Sequence, residues 1–156
     1  MQRLIKKPKE RDWMTSEQHK EKRRQYYEKN RYRLCDYSLN YYSPKAIGQI
    51  VSICPDTVNE YYSLYPFEEY GEPFIKKRLS GYRVFSHQAR YQDCYDAGML
   101  AYLFSIHRCA FLHVENVTAY INKMIRIYVI CALVLCDDAK NLCRTNGLKE
   151  VRIDAY

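Results

Sequence analysis

Few residues in this chain can interrupt a helix, since only five glycines and five prolines are spread over 156 residues. Between them, apolar side chains recur at three- and four-residue spacing, which is the helical period and not the alternation of a strand. With 47% hydrophobic residues, the chain is long enough for one domain with a core and too short for two. The sequence predicts a mainly α fold: one helical domain preceded by a basic arm.

The positive charge lies at one end of the chain. The formal net charge is +7, and residues 1–33 account for all of it, with 12 Lys/Arg against 5 Asp/Glu. Residues 34–156 carry 13 of each. A segment of this charge suits a polyanionic partner such as nucleic acid or an acidic membrane face. We therefore divide the chain into a basic segment, residues 1–33, and a single helical domain, residues 34–156.

Within the basic segment, residues 1–14 show no consistent period and indicate a flexible lead-in. The next stretch, "SEQHKEKRRQYYEKNRYRL", is rich in helix formers and predicts a helix that ends near Tyr32. Its faces are polar nearly all round, so we expect it to order fully only against a partner. Four of its cations are candidate phosphate contacts: Lys20, Arg23, Arg24 and Arg31.

Two short helices are predicted in "SPKAIGQIVSICPDTVNEYYSLY", residues 43–65. Ser43 suits an N-cap with Pro44 at the first helical position, and Pro55 opens the second helix in the same way. Pro66 ends the second helix. The apolar positions fall on one face of each helix: Ile47, Ile50 and Val51 in the first, and Val58, Tyr61, Tyr62 and Tyr65 in the second. Two such helices joined by about three residues have the size of a helix-turn-helix, and also of an ordinary helical hairpin in a bundle.

The stretch "AIGQIVSICPDTVNEYY" resembles the common bacterial helix-turn-helix pattern. The matching positions are Ile47-Gly48 in the first helix, Ser52-Ile53 in the turn and Thr57-Val58 at the start of the recognition helix. The turn position often held by glycine is Ser52 here, which must tolerate the backbone angle of the turn. The resemblance implies DNA binding with the second helix in a groove.

This second helix carries no Lys or Arg. Base reading would depend on Asn59, which can pair bidentately with adenine, on Thr57, and on Asp56 or Glu60 as acceptors from cytosine. Lys45, on the first helix, is a further candidate contact to DNA.

Residues 67–85, "FEEYGEPFIKKRLSGYRVF", predict a connector or a short β-hairpin, because Gly71, Pro73 and Gly81 surround a basic triplet. The triplet, Lys76-Lys77-Arg78, is a candidate for contacts with the DNA backbone. A solvated loop is the plainer interpretation.

A helical core is predicted over about residues 86–146. One helix begins at Ser86, and another runs from near Asn116 to a stop at Asn146-Gly147. The predicted core faces are Tyr91, Tyr95, Met99, Tyr102 and Ile106 in the first, and Val117, Tyr120, Ile121, Met124 and Ile127 in the second. The run "IYVICALVLC", half the ~20 residues of a bilayer crossing, predicts a core helix enclosed by its neighbours or by a second subunit. The final "LKEVRIDAY" predicts a strand or a docked tail.

Patterns for catalysis and metal binding are weak. His107, Cys109 and His113 are close in sequence, but a structural zinc site needs four ligands and no second pair has a recognisable spacing. The seven cysteines form no C-x-x-C pair, and no hydrophobic signal segment follows Met1, which indicates a reducing cytosol. No motif for a catalytic serine, a phosphate loop or a zinc protease is present. We expect no enzyme activity, metal, cofactor, small-molecule substrate or membrane.

Together these features favour a cytoplasmic, nucleoid-associated protein that binds double-stranded DNA, either a transcriptional regulator or a mobile-element accessory factor. The arm would capture phosphates and the second helix would enter a groove. A homodimer or larger assembly is expected, because helix-turn-helix proteins commonly read paired half-sites. The alternative is a non-catalytic protein-interaction or assembly module whose arm binds an acidic protein or RNA. Exposure of Thr57, Asn59 and Glu60 beside a basic rim would favour DNA.

Overall fold

The computed structural model describes residues 16–145, with side chains described as far as Asp137. This part of the chain contains no strand, so the mainly α prediction is confirmed. Its α-helices are α1 (Ser16–Asp36), α2 (Ser43–Ile53), α3 (Pro55–Leu64), α4 (Glu72–Gly81), α5 (Arg90–Leu112) and α6 (Val117–Thr145). π-Helical turns at Tyr37–Tyr42 and Phe67–Gly71 precede α2 and α4. The lead-in predicted for residues 1–14 and the tail predicted for 148–156 lie outside the described residues.

The chain divides into two compact units, Met1–Arg31 and Tyr32–Tyr156. In the first unit, α1 is held by contacts along its own surface. Lys20 pairs with Glu17 at 2.9 Å, and Arg24 pairs with Glu28 at 3.1 Å. Such exposed pairs, three or four residues apart, contribute little to the stability of a helix.

Both π-helical turns have the same cause, a proline that lies two residues after the end of the turn: Pro44 after the first turn and Pro73 after the second. In each turn the residue before the proline donates its N–H to the carbonyl five residues back: Ser43 to Ser38, and Glu72 to Phe67. A proline has no N–H to donate, and in a regular helix its ring clashes with the carbonyl four residues back. The wider turn relieves this clash, so the backbone enters α2 and α4 without leaving the helical conformation.

The core of the second unit is built around α5 and α6, which pack against each other more extensively than any other pair of described helices. Helices α2, α3 and α4 pack on α5. Gly98 lets α4 come close, because a Cβ atom there would lie 2.8 Å from Cγ1 of the fully buried Ile75. Among the buried core residues are Cys94, Ala97, Ala101, Tyr102 and Ile106 of α5, and Ile121, Ile125, Tyr128, Val129 and Ala132 of α6.

The prediction of a connector or β-hairpin over residues 67–85 is wrong, because most of this stretch is the π-helical turn and α4. Ile75 and Leu79, four residues apart, are both buried and form the inner face of α4. Pro73 lies in the first turn, where its missing N–H costs nothing. Gly81 lies at the end of the helix. Pro73 and Gly81 therefore lie at the two ends of a helix and do not interrupt it.

The predicted core faces of the long helices are partly wrong. Met99 is 38% exposed and Ile127 is 40% exposed, although both were expected in the core. Helix α5 begins at Arg90 and not at Ser86. Because α5 has neighbours on several sides, small residues such as Ala97 and Ala101 are buried, and the large apolar residues do not form a single buried stripe.

Helix α6 begins as the sequence predicts, with Asn116 as its cap. The Asn116 side-chain oxygen accepts the N–H of Ala119 at 2.9 Å. Val129 and Ala132 are buried, whereas Leu135 is half-buried. By length and composition alone, the stretch Val117–Asp137 could cross a membrane. The core helix of a soluble protein can have the same length and composition.

Candidate nucleic-acid interface

Helix α1 presents the largest basic surface among the described helices. It carries seven Lys/Arg against four Asp/Glu, and every residue from Ser16 to Lys29 is exposed. Lys20, Arg23, Arg24 and Arg31, the predicted phosphate contacts, are all exposed. The Glu28 carboxylate, which accepts a hydrogen bond from Arg24, raises the pKa of Arg24 above its ordinary value. Arg24 therefore keeps its charge at any pH at which nucleic acid would bind.

Tyrosines add aromatic area to this basic helix. Tyr26, Tyr27 and Tyr32 are each 44% exposed or more, and the buried residue of α1 is Cys35, near its end. Tyrosine rings can stack on bases or contact sugars, while their hydroxyls reach phosphate or water. The sequence offers these three rings as the only side chains that this helix could bury, and in the structure all three are exposed.

The turn between α2 and α3 is shorter than predicted and lies elsewhere. Ser52 and Ile53, assigned to the turn, belong to α2, and Cys54 alone separates the two helices. Pro55 favours a break at this point, since a residue before proline is disfavoured in the α conformation. Cys54 accordingly has φ −136° and ψ 63°. Ser52 is helical and donates its hydroxyl to the Gln49 carbonyl at 2.7 Å, so it meets no unusual turn angle.

Ser43 is not the N-cap that the sequence predicts. The chain is already helical at Tyr42, so α2 begins without an unpaired N–H for a serine to accept. Ser43 is instead fully buried, where its hydroxyl donates to the Ser38 carbonyl at 2.9 Å and contacts the hydroxyl of Tyr128. The residue therefore joins the start of α2 to α6.

On α3, the predicted base-reading residues lie largely on one exposed face. Asp56, Asn59 and Glu60 are exposed, at positions that share a helix face, whereas Thr57 is half-buried. The opposite face is anchored by Val58, which packs with Ile50 and Ala110. Helix α3 thus presents a small polar surface while its apolar face holds it on α5.

The surface of the α2–α3 pair is not basic. Residues 43–65 carry one cation, the exposed Lys45, against two carboxylates, and have a net charge of −1. Three large apolar side chains of the pair are exposed: Val51, Ile53 and Leu64. Gly48, matched to the small position of the helix-turn-helix pattern, has no atom within 4 Å of where a Cβ would lie. The basic rim expected around Asn59 is therefore missing within residues 43–65.

The basic triplet lies on α4, and its members differ in surroundings. Lys76 is exposed and pairs with Glu72 at 2.7 Å, and this hydrogen bond raises the pKa of Lys76. Lys77 is exposed. Arg78 is half-buried and donates from Nη2 to the side-chain oxygen of Asn122 on α6 at 2.9 Å. Arg78 therefore links α4 to α6, which leaves Lys77 as the member best placed to meet a partner.

The three residues considered as metal ligands occupy different environments. His107 is buried and donates from Nδ1 to the Leu103 carbonyl at 2.6 Å. Cys109 is fully buried, whereas His113 is exposed and ends α5 in a left-handed conformation. Among the residues with described side chains, no group of three or more His, Cys, Asp or Glu is placed to hold a metal ion.

Comparison with known proteins returns no match to a family model, to a curated protein or to a solved structure.

Proposed function

We propose that this protein is a non-catalytic DNA-binding protein in which α1 supplies contacts to phosphates and α3 supplies contacts in a groove. The observation that carries the proposal is the exposed basic surface of α1, with its seven Lys/Arg and no buried residue from Ser16 to Lys29. Phosphate contacts from such cations supply essentially all non-specific affinity for DNA.

The dimensions of α1 suit a duplex. Its 21 residues span about 31 Å at 1.5 Å per residue, close to one turn of B-DNA. An α-helix fits the major groove, which is about 12 Å wide. Nearly all of α1 is exposed, so packing against the rest of the protein stabilises it little. Contacts with the duplex would supply the free energy that stabilises the whole helix.

Helix α3 would contribute selectivity and little affinity. Asn59 can pair with adenine, and Asp56 or Glu60 can accept from cytosine, but residues 43–65 carry a net charge of −1. A surface of this charge is repelled by phosphates, so it would approach a groove only where α1 already holds the duplex.

A protein-interaction or assembly module is the second candidate. It is favoured by the exposed Val51, Ile53 and Leu64 of the α2–α3 pair, since apolar surface beside few charges is typical of protein interfaces. In this case α1 would bind an acidic protein or RNA.

Duplex binding as a function of salt tests the proposal. We expect the logarithm of the binding constant to fall linearly with the logarithm of salt concentration. The variant Arg23→Gln/Arg24→Gln should weaken binding to every duplex and lower the slope by up to about 1.8, at about 0.9 per lost phosphate contact. Fluorescence anisotropy with a labelled duplex measures both.

The matched control is Lys123→Gln/Arg126→Gln, which removes two exposed charges from α6. Both variants have the same net charge, so an equal loss of affinity in the control would show that overall charge, and not α1, attracts the DNA. Absence of duplex binding by the wild type at low salt would overturn the proposal.

A further inference from the structure

Helices α5 and α6 border a cleft of about 410 Å³ in the second unit. Its walls are partly apolar, with Leu100 and Leu135, and partly acidic, with Asp93 and Asp96. Cys136 of α6 also lines the cleft and is half-buried. A small polar molecule that enters the cleft can therefore reach the sulfur of Cys136.

A second thiol lies directly behind Cys136. Cys94 of α5 is fully buried, and its thiol is close enough to the Cys136 thiol for each to shift the pKa of the other. Cys136 in turn lies 3.8 Å from a carboxylate oxygen of Asp93. The three groups form a short chain from the interior to the cleft: the Cys94 thiol, the Cys136 thiol and the Asp93 carboxylate.

Another pair of thiols provides an internal comparison. Cys35 is close enough to Cys131 to raise its pKa, but both are buried and neither lines the cleft. Burial raises the pKa of Cys131 to about 12, so this thiol stays protonated near neutral pH. In both pairs two thiols are close to each other, but only the Cys94–Cys136 pair has a sulfur that a molecule in the cleft can reach.

We propose that Cys94 and Cys136 are an oxidation site, which forms a reversible disulfide between α5 and α6 when a peroxide enters the cleft. The proposal depends on the sulfur contact, on the burial of Cys94 and on the opening of Cys136 to the cleft. It is independent of DNA binding. The sulfur atoms need only approach to about 2 Å, the length of the bond they would form.

The reaction balances with the peroxide as the oxidant. The Cys136 thiolate attacks one peroxide oxygen, the O–O bond breaks, and a sulfenic acid and one water are formed. The Cys94 thiol then attacks the sulfur of Cys136, the S–O bond breaks, and a second water leaves. Two thiols and one hydrogen peroxide thus give one disulfide and two waters.

The surrounding charges bear on which thiol reacts first. The hydrogen bond donated by Cys94 lowers the pKa of Cys136, whereas burial, Asp93 and Asp137 act against this. The pKa of Cys94 is raised, chiefly by its hydrogen bond to Cys136 and by burial, although Arg90 opposes this. Because Cys136 lines the cleft and Cys94 is fully buried, a peroxide reaches Cys136 first, so Cys136 is the attacking residue and Cys94 the resolving one.

Peptide mapping of the full chain after treatment with hydrogen peroxide tests the site. After remaining thiols are blocked and trypsin is added, we expect a link between residues 91–108 and 127–140 that dithiothreitol removes. The second peptide contains both Cys131 and Cys136. The link should therefore persist in Cys131→Ser and disappear in Cys94→Ser and Cys136→Ser.

A measurement on the wild type avoids any dependence on how the variants fold. In the native, reduced protein, iodoacetamide should modify Cys136 several-fold faster than Cys94, Cys35 or Cys131. Equal rates would overturn the proposal, as would the absence of any link or a link of residues 127–140 to the Cys35 peptide, residues 34–45.

Discussion

Asn59 is the single residue on which base recognition by α3 depends most. It is exposed beside Asp56 and Glu60, away from the apolar face of the helix. We expect Asn59→Ala to remove on the order of 1–3 kcal/mol of discrimination at one base position. Non-specific affinity and the melting temperature should change little, because an exposed polar side chain contributes little to folding. Competition binding with a set of duplexes and a thermal melt measure these quantities.

Ser63→Ala is the matched control, since Ser63 is exposed one turn further along α3 and donates to the Asn59 carbonyl at 3.1 Å. This variant should leave both DNA discrimination and stability unchanged. A lower melting temperature in Asn59→Ala with unaltered DNA binding would favour the assembly module over the DNA-binding protein.

Arg78 and Lys77 are neighbours, but we expect only the substitution of Arg78 to lower the stability of the fold. Arg78→Ala should lower the free energy of unfolding by about 1–3 kcal/mol, because it removes a charged hydrogen bond to the half-buried Asn122. Lys77→Ala, at an exposed position, should change it by less than about 0.5 kcal/mol. Urea unfolding of both variants measures the difference. Equal stability of the two variants would show that Arg78 does not link α4 to α6.

At the scale of the helices, alanine in place of two glycines should change the stability of the protein in opposite directions. Gly98→Ala should destabilise the protein by about 1–3 kcal/mol, because its Cβ would press against the buried Ile75. Gly48→Ala should stabilise it by about 0.5–1 kcal/mol, since α2 gains helix propensity and the new atom meets open space. Thermal melts of the two variants test whether the close approach of α4 to α5 depends on Gly98. A stabilised Gly98→Ala would show that Ile75 moves aside at no cost.

At the scale of the whole molecule, the boundary between the two units predicts that residues 32–156 fold alone. Removal of residues 1–31 should preserve a cooperative melt, because the described core lies within the second unit. The same deletion should weaken binding to all duplexes and flatten the salt dependence. Circular dichroism and anisotropy measure the two effects. A truncated chain that binds DNA as the full chain does would remove α1 from the proposed interface.

A dimer is the assembly we expect on DNA, because a two-fold pair of α3 helices would read two half-sites. Sedimentation of the full chain with and without a duplex measures the stoichiometry. Two protein chains per duplex are expected, and a one-to-one complex at saturating protein would contradict the paired arrangement.

Much of the helical content could be predicted from local patterns. The start of α6 after Asn116 follows from spacing, and the paired helices within residues 43–65 follow from spacing and from Pro44 and Pro55 in their first turns. Both features are present. The predicted turn at Ser52-Ile53 is wrong, because both residues are helical and the break lies at Cys54, before Pro55. The predicted connector over residues 67–85 is wrong as well, because Pro73 in the first turn of α4 and Gly81 at its end are compatible with a helix between them.

By itself, the sequence determined where charge and apolar residues lie along the chain, and hence an all-helical core with a basic helix before it. Those properties depend on neighbours within a turn or two, which a linear pattern records. Only the tertiary structure decided which thiols lie close together, as Cys94 and Cys136 do. It also decided which cation of the basic triplet forms a hydrogen bond within the fold, as Arg78 does with Asn122. Such contacts join residues more than forty positions apart, and packing between helices, which no local spacing encodes, brings them together.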